Sequence, residues 1–286
     1  MTPSANDRRP LPAPPRNSRA WLWIVLGVAV LAAGAYYYFV LRQPTPAPEP
    51  APPPPSPVVA PAAAPAPPAI QYPIENAQQG AEPPPRPALT LDQSDTVARD
   101  ALAGLMGLPR FTQFFFGDDI IRRIVATVDN LPRERASRLM MPVKPVPGPF
   151  ETTGTGDSRV IAAANAARYT PYVQLFDSLD SRKLVAAYVR LYPLFQQAYR
   201  ELGYPTGYFN DRLVQAIDNA LAAPSVTGPI AVTQPKVLYA FADPQLESLS
   251  AGQKTLLRMG PDNAAKVKAK LRELRAALTG NTPPKP

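Results

Sequence analysis

The stretch YRELGYPTGYFND, residues 199 to 211, is where this sequence comes nearest to chemistry. Glu201 and Asp211 are two carboxylates, and glycoside hydrolysis needs such a pair, one as acid and one as base or nucleophile. Tyr199, Tyr204, Tyr208 and Phe209 surround them, and aromatic faces stack on sugar rings. A plainer reading competes. Glu201-Leu202-Gly203 has the form of a helix end, and Asn210 or Asp211 can cap the helix that follows. Aromatic residues at helical spacing usually belong to a core. We take Tyr204, Tyr208 and Phe209 as candidates for partner binding and assign no catalytic residue.

The other polar clusters read as punctuation. Asp118-Asp119 precedes the apolar run Ile120, Ile121, Ile124, Val125 and Val128, so a helix cap explains the paired acids. TGTGD, residues 153 to 157, lacks the Lys-Ser/Thr of a phosphate loop and reads as a turn. Ser250 stands four residues before Lys254, one too many for the S-x-x-K spacing of Ser-Lys hydrolases, and it suits an N-cap.

Composition narrows the field further. The 286 residues contain no His and no Cys. That removes disulfides, thiolate and imidazole metal sites, Cys nucleophiles and the Ser-His-Asp triad. No cofactor and no metal is implied. The leading function is a non-enzymatic interaction or scaffold module, and the alternative is a carboxylate-dependent enzyme acting on a glycan.

A basic segment, KVKAKLRELRAAL at 266 to 278, offers a surface for an acidic partner. Val267, Leu271, Leu274 and Leu278 fall on one narrow stripe of a helix. Lys268, Arg272 and Arg275 flank it on one side, Lys266 and Lys270 on the other, and Glu273 alone offsets them. These five cations join the aromatic residues as candidate partner-binding positions. The bland reading is a solvated face over a docked stripe.

The elements that position these groups follow from periodicity. Residues 1–19 form a short tail with Arg8, Arg9, Arg16 and Arg19. Residues 20–41 carry no charge, cover about 30 Å as a helix, and have Trp21 and Trp23 at one end and Tyr36 to Tyr38 at the other. That is the pattern of a single-pass transmembrane anchor, with a cleaved signal as the competing reading. The cation bias puts the N-terminus in the cytoplasm and the rest in the periplasm of a Gram-negative-type cell. An inner-membrane protein so oriented meets envelope proteins and cell-wall polymers, and no nucleic acid. Residues 42–88 are a disordered Pro/Ala-rich spacer. Residues 89–280 form one mainly α domain with at most a small β-hairpin, and 281–286 a disordered tail. Six helices are expected: one after Asp92, Ser94 and Asp95; one from Ile120 ending at Leu131-Pro132; one from Leu184 to Leu202 through Pro193; one from Asn210; one around Leu256 and Leu257; and one from about 262 to 279.

Four long segments carry a family resemblance: IIRRIVATVDNLPRE (120–134), ARYTPYVQLFDSLD (167–180), YRELGYPTGYFNDRL (199–213), and the 45 residues from Gln234 to Leu278. Together they resemble the proteobacterial domain-of-unknown-function family numbered 3014, over nearly all of the folded region. The resemblance implies a membrane-anchored chain with a Pro- or Ala-rich spacer. The family carries no assigned activity, so no functional residue comes with it.

Overall fold

The computed structural model describes residues 69–78 and 90–280. The expected spanning helix at 20–41 lies outside them, as do the N-terminal tail, most of the spacer and residues 281–286. Among the described residues no helix is long and apolar enough to cross a membrane.

The domain is mainly helical, as its periodicity demands. Its helices are α1 (Ser94–Met106), α2 (Leu108–Phe114), α3 (Ile120–Asn130), α4 (Ala164–Ser178), α5 (Ser181–Glu201), α6 (Phe209–Leu221), the single turn α7 (Pro244–Glu247), α8 (Ala251–Arg258) and α9 (Pro261–Thr279). The stripe Ile120, Ile121, Val125 and Val128 is the buried face of α3. Helix α5 buries Val185, Leu191, Phe195 and Ala198, and runs through Pro193. Its N-cap Asp180 accepts from the backbone N–H groups of Arg182 and Lys183, both at 2.9 Å. Those bonds, the Lys183 one first, hold its carboxyl below the usual range. Ser250 caps α8 in a capping box with Gln253. Gly260 takes φ 83° between α8 and α9, a value a side chain would strain.

The cap of α3 corrects the expectation for Asp118-Asp119. Asp119 occupies the N-cap position in a left-handed conformation, but its side chain does not cap. Asp95 of α1 does that work from across the fold. Its two carboxylate oxygens accept the N–H groups of Asp119 at 2.8 Å and Ile120 at 2.9 Å. The free donors and the positive helix end attract a carboxylate wherever in the sequence it arises. Asp118 instead pairs with Arg123 at 2.6 Å, a bond that lowers its pKa.

Three helices, α2, α4 and the single turn α7, and one hairpin exceed the expectation. Helix α2 follows α1 after a break at Gly107, and α4 has Pro171 at its centre. Strands β1 (Thr152–Thr153) and β2 (Val160–Ile161) pair antiparallel around the TGTGD turn, with Thr152 opposite Ile161. Strands β3 (Val232–Thr233) and β4 (Ala240–Phe241) form a second hairpin, with Val232 opposite Phe241 and Pro235 in the turn. The hairpins join edge to edge. Ile161 donates its N–H to Ile230 at 3.0 Å, and Val232 donates to Arg159 at 2.9 Å.

The buried apolar side chains fall into separate clusters. One spans α1, α2, α3, α5 and Phe209. A second joins Val185, Val214, Ile217, Leu274 and Leu278, and a third joins Val173, Ala223, Leu256 and Met259. A smaller one sits under the hairpins around Val232, Phe241 and Leu257.

Candidate functional site

The aromatic stretch 199–211 is a core joint. Phe209 is fully buried and stacks on Phe195 at 5.7 Å between centroids. Tyr199 stacks on Tyr204 at 4.5 Å. A Cβ on Gly207 would lie 2.7 Å from the Tyr199 ring, so only glycine lets the loop pass. Glu201 stays exposed, accepts from Gln197 at 2.9 Å, and lies 3.4 Å from Arg122. The polar groups at the start of α6 hold the chain's own upstream segment. Asp211 accepts the N–H groups of Gln71 at 3.0 Å and Tyr72 at 2.7 Å. Asn210 donates to the Tyr72 carbonyl at 2.8 Å, and the Tyr208 hydroxyl accepts the Ile74 N–H at 2.8 Å.

Residues 70–77 thus form a strap, where the sequence placed them in the disordered spacer. Ile74 is buried, and Tyr72 and Ala77 pack on the cluster built from Val185, Leu274 and Leu278. The reason is local: apolar Tyr72 and Ile74 interrupt the Pro/Ala composition, and the backbone of Gln71, Tyr72 and Ile74 meets Tyr208, Asn210 and Asp211, while Ile70 stays exposed. Asp211 is the strongest of these holds, because a charged acceptor makes the stronger hydrogen bond. The double variant Asp211→Asn, Tyr208→Phe should release the strap at a cost of about 1–3 kcal/mol. Limited proteolysis near Tyr72 should then rise roughly tenfold or more, since about 1.4 kcal/mol is a factor of ten. The near-UV circular dichroism of the domain should hold.

The basic helix turns most of its cations inward or sideways. Lys268 Nζ donates to the Ala223 carbonyl, just past the end of α6. Lys270 is buried, and its Nζ donates to the Leu179 carbonyl, at the end of α4, at 3.1 Å. Cations belong at helix C-termini, where carbonyls are unpaired and the dipole is negative. These two lysines serve the ends of neighbouring helices. Lys270 also pairs with Glu273 at 3.0 Å, and Glu273 accepts from the Ser181 hydroxyl at 2.6 Å. The Ser181 bond first, then Lys270, lowers the Glu273 pKa. Arg275 forks onto Asp218, with Nη2 to Oδ2 at 3.1 Å. Lys266 and Arg272 remain exposed and make no ion pair among the described residues.

A buried charge cluster, absent from the sequence reading, fastens α3 to α6. The side chain of Asp129 accepts from Arg133 at 2.6 Å, Arg212 at 3.0 Å and the Tyr204 hydroxyl at 3.3 Å. Arg212 also donates to the Asp129 carbonyl.

Where the three larger clusters meet, the domain holds a cavity of about 470 Å³. Helices α5 and α6 make few contacts beyond their joint; α3 packs against both, as does α9. The cavity lies among these four. Ile120 and Ile124 of α3, Leu184 and Leu191 of α5, and Leu213 and Ile217 of α6 line it. So do Val267, Leu271, Leu274 and Leu278 of α9, with Leu102 of α1 and Leu256 of α8. Several large apolar side chains are only half-buried because they face this space: Leu102, Ile124, Leu184, Leu213 and Leu271.

Its chemistry is uniformly apolar. Tyr188 and Thr255 are among the lining residues, and the hydroxyl of each donates elsewhere, to Asn210 at 3.2 Å and to the Ala251 carbonyl at 2.8 Å. Burial keeps the Tyr188 phenol protonated, its pKa well above the ordinary value. Water is a poor filler, since it needs polar partners. The space is partly open, and its apolar walls are left without close-packed neighbours on that side. No motif in the sequence marks it, because leucines around a void read like leucines around a core.

A family model described as a protein of unknown function (DUF3014) matches residues 120–275. The chain belongs to this family. The DUF3014 match runs from the first residue of α3 into α9 and takes in most of the cavity wall. Helices α1 and α2 and the strap lie outside it. No curated protein and no solved structure matches the chain.

Proposed function

We propose that this chain is a membrane-tethered binding module of the bacterial cell envelope, whose helical domain takes an apolar guest into the cavity between α3, α5, α6 and α9. The cavity is the observation that carries the reading. Protein interiors close up to crystal-like density, so a space of about 470 Å³ with a greasy lining is a built feature. Its walls present no acid, base or nucleophile to a guest, which favours binding over catalysis.

The tether rests on the sequence. Residues 20–41 have the length, apolarity and aromatic ends of a single span, and the arginines before it put the domain in the periplasm. The strap supports a directed attachment. Residues 70–77 of the spacer are held on α5 and α9, against the cluster that forms one cavity wall. An acidic protein, cell-wall or headgroup partner for the last helix is left with Lys266 and Arg272 as its contacts.

Two measurements test this. A reporter fused after Pro286 and active only in the periplasm should give signal; activity of a cytoplasm-only reporter would overturn the address. The full-length chain should raise the emission of N-phenyl-1-naphthylamine saturably, and Ala216→Phe, which puts a ring into the cavity and takes up about a third of it, should weaken the rise. No saturable rise would overturn the apolar guest.

A further inference from the structure

We infer that the guest is a single unbranched hydrocarbon chain, the tail of a one-chain amphiphile whose polar head stays at the surface. This rests on the apolar-guest reading and narrows it.

The cavity is long. Its lining runs from Leu184 to Phe195 along α5 and from Val267 to Leu278 along α9, eleven residue steps in each case. At 1.5 Å per residue that is about 16 Å. A zigzag of C–C bonds near 1.5 Å advances roughly 1.3 Å per carbon, so about a dozen carbons span it. The cavity is also larger than a compact guest requires. A cavity of about 150 Å³ accommodates one benzene ring, and this one is about three times that size.

The lining selects against a buried head. No Asp, Glu, Lys or Arg contributes to it. A carboxylate or phosphate drawn inside would lose its water and meet no partner. The walls are chiefly Leu, Ile, Val and Ala, whose methyl groups pack along a flexible chain without imposing a ring geometry. Length, volume and lining agree on an aliphatic tail with the charged end outside. A long-chain fatty acid and a lysophospholipid share that tail and differ in the head.

The test uses the full-length chain reconstituted in phosphatidylcholine vesicles. Each of four probes carries a photoactivatable diazirine: hexadecanoate, a lysophospholipid with the same tail, hexanoate, and a chainless aryl diazirine. Peptide mass spectrometry locates the adducts. We expect the hexadecanoyl tail to label Leu184, Ile217 or Leu274, with either head or both. Unlabelled hexadecanoate should reduce that labelling at least tenfold, hexanoate should label weakly, and Ala216→Phe should reduce the C16 cavity adducts. Labelling by the two C16 probes shows whether one head or both are admitted. Cavity adducts from the aryl diazirine without any from the C16 probes would overturn the tail and leave the apolar guest standing. No cavity adducts from any probe would overturn both.

Discussion

Asp129→Ala should cost the domain about 3–5 kcal/mol, the largest single loss expected from any polar side chain here. The Asp129 side chain is 5 % exposed and joins Arg133, Arg212 and Tyr204. Removing it leaves the Arg212 side chain, itself only 16 % exposed, with a charge no longer paired and only the residue-129 carbonyl and the Gln215 side chain as acceptors. It also cuts the link between the end of α3 and the first turns of α6. With a urea m-value of about 2 kcal/mol/M for a domain this size, the unfolding midpoint should fall by roughly 2 M. The cluster is asymmetric, which supplies the control. Arg133 is half exposed, so Arg133→Ala should cost less than about 1 kcal/mol. Equal losses for the two variants would mean that burial of Asp129 does not set the scale.

Much of the helical frame was legible because amphipathic periodicity reports burial directly. Ile120 to Val128, Leu184 to Phe195 and Leu213 to Leu221 each put their apolar residues on one face, and each became a helix with that face turned inward, while Leu202 falls just past the end of α5 and is exposed. The stop at Gly260-Pro261 and the cap at Ser250 were local too. Helix α4 was not, for a physical reason. Its buried residues are Asn165, Val173 and Leu175, and Pro171 breaks the pattern between them. Packing against α9 overrides both signals.

What escaped the sequence is what depends on two distant segments at once. Asp95 reads as a cap for its own helix and serves α3. Lys268 and Lys270 read as a basic face and serve the ends of α6 and α4. Asp211 reads as a cap or a catalytic acid and holds the strap. A faint signal for the strap did exist: Ile70, Tyr72 and Ile74 alternate with polar and proline residues inside an otherwise Pro/Ala-rich tract. The cavity had none. Residue type fixes which side chains avoid water, and only the relative placement of helices decides whether they meet each other or leave a space.

That distinction makes Ala216→Phe the most informative substitution in the domain. Ala216 sits midway along α6, is 6 % exposed, and lines the cavity. In a filled core the added ring would force neighbours apart and cost about 1–3 kcal/mol. Against an apolar space it removes void and buries a phenyl group, a gain of about 1–2 kcal/mol. For a domain of this size each kcal/mol moves Tm by about 2–4 °C. The unliganded variant should therefore melt several degrees above wild type, where a packed core predicts a fall of similar size. Adding hexadecanoate should reverse the order. At a hundredfold excess over Kd a guest stabilises by about 2.7 kcal/mol, so wild-type Tm should rise while the variant, with part of the space taken, rises less. A variant that melts lower in both conditions would show that the helices close the gap in solution. A variant that melts higher and responds less to the fatty acid places the binding site between α3, α5, α6 and α9.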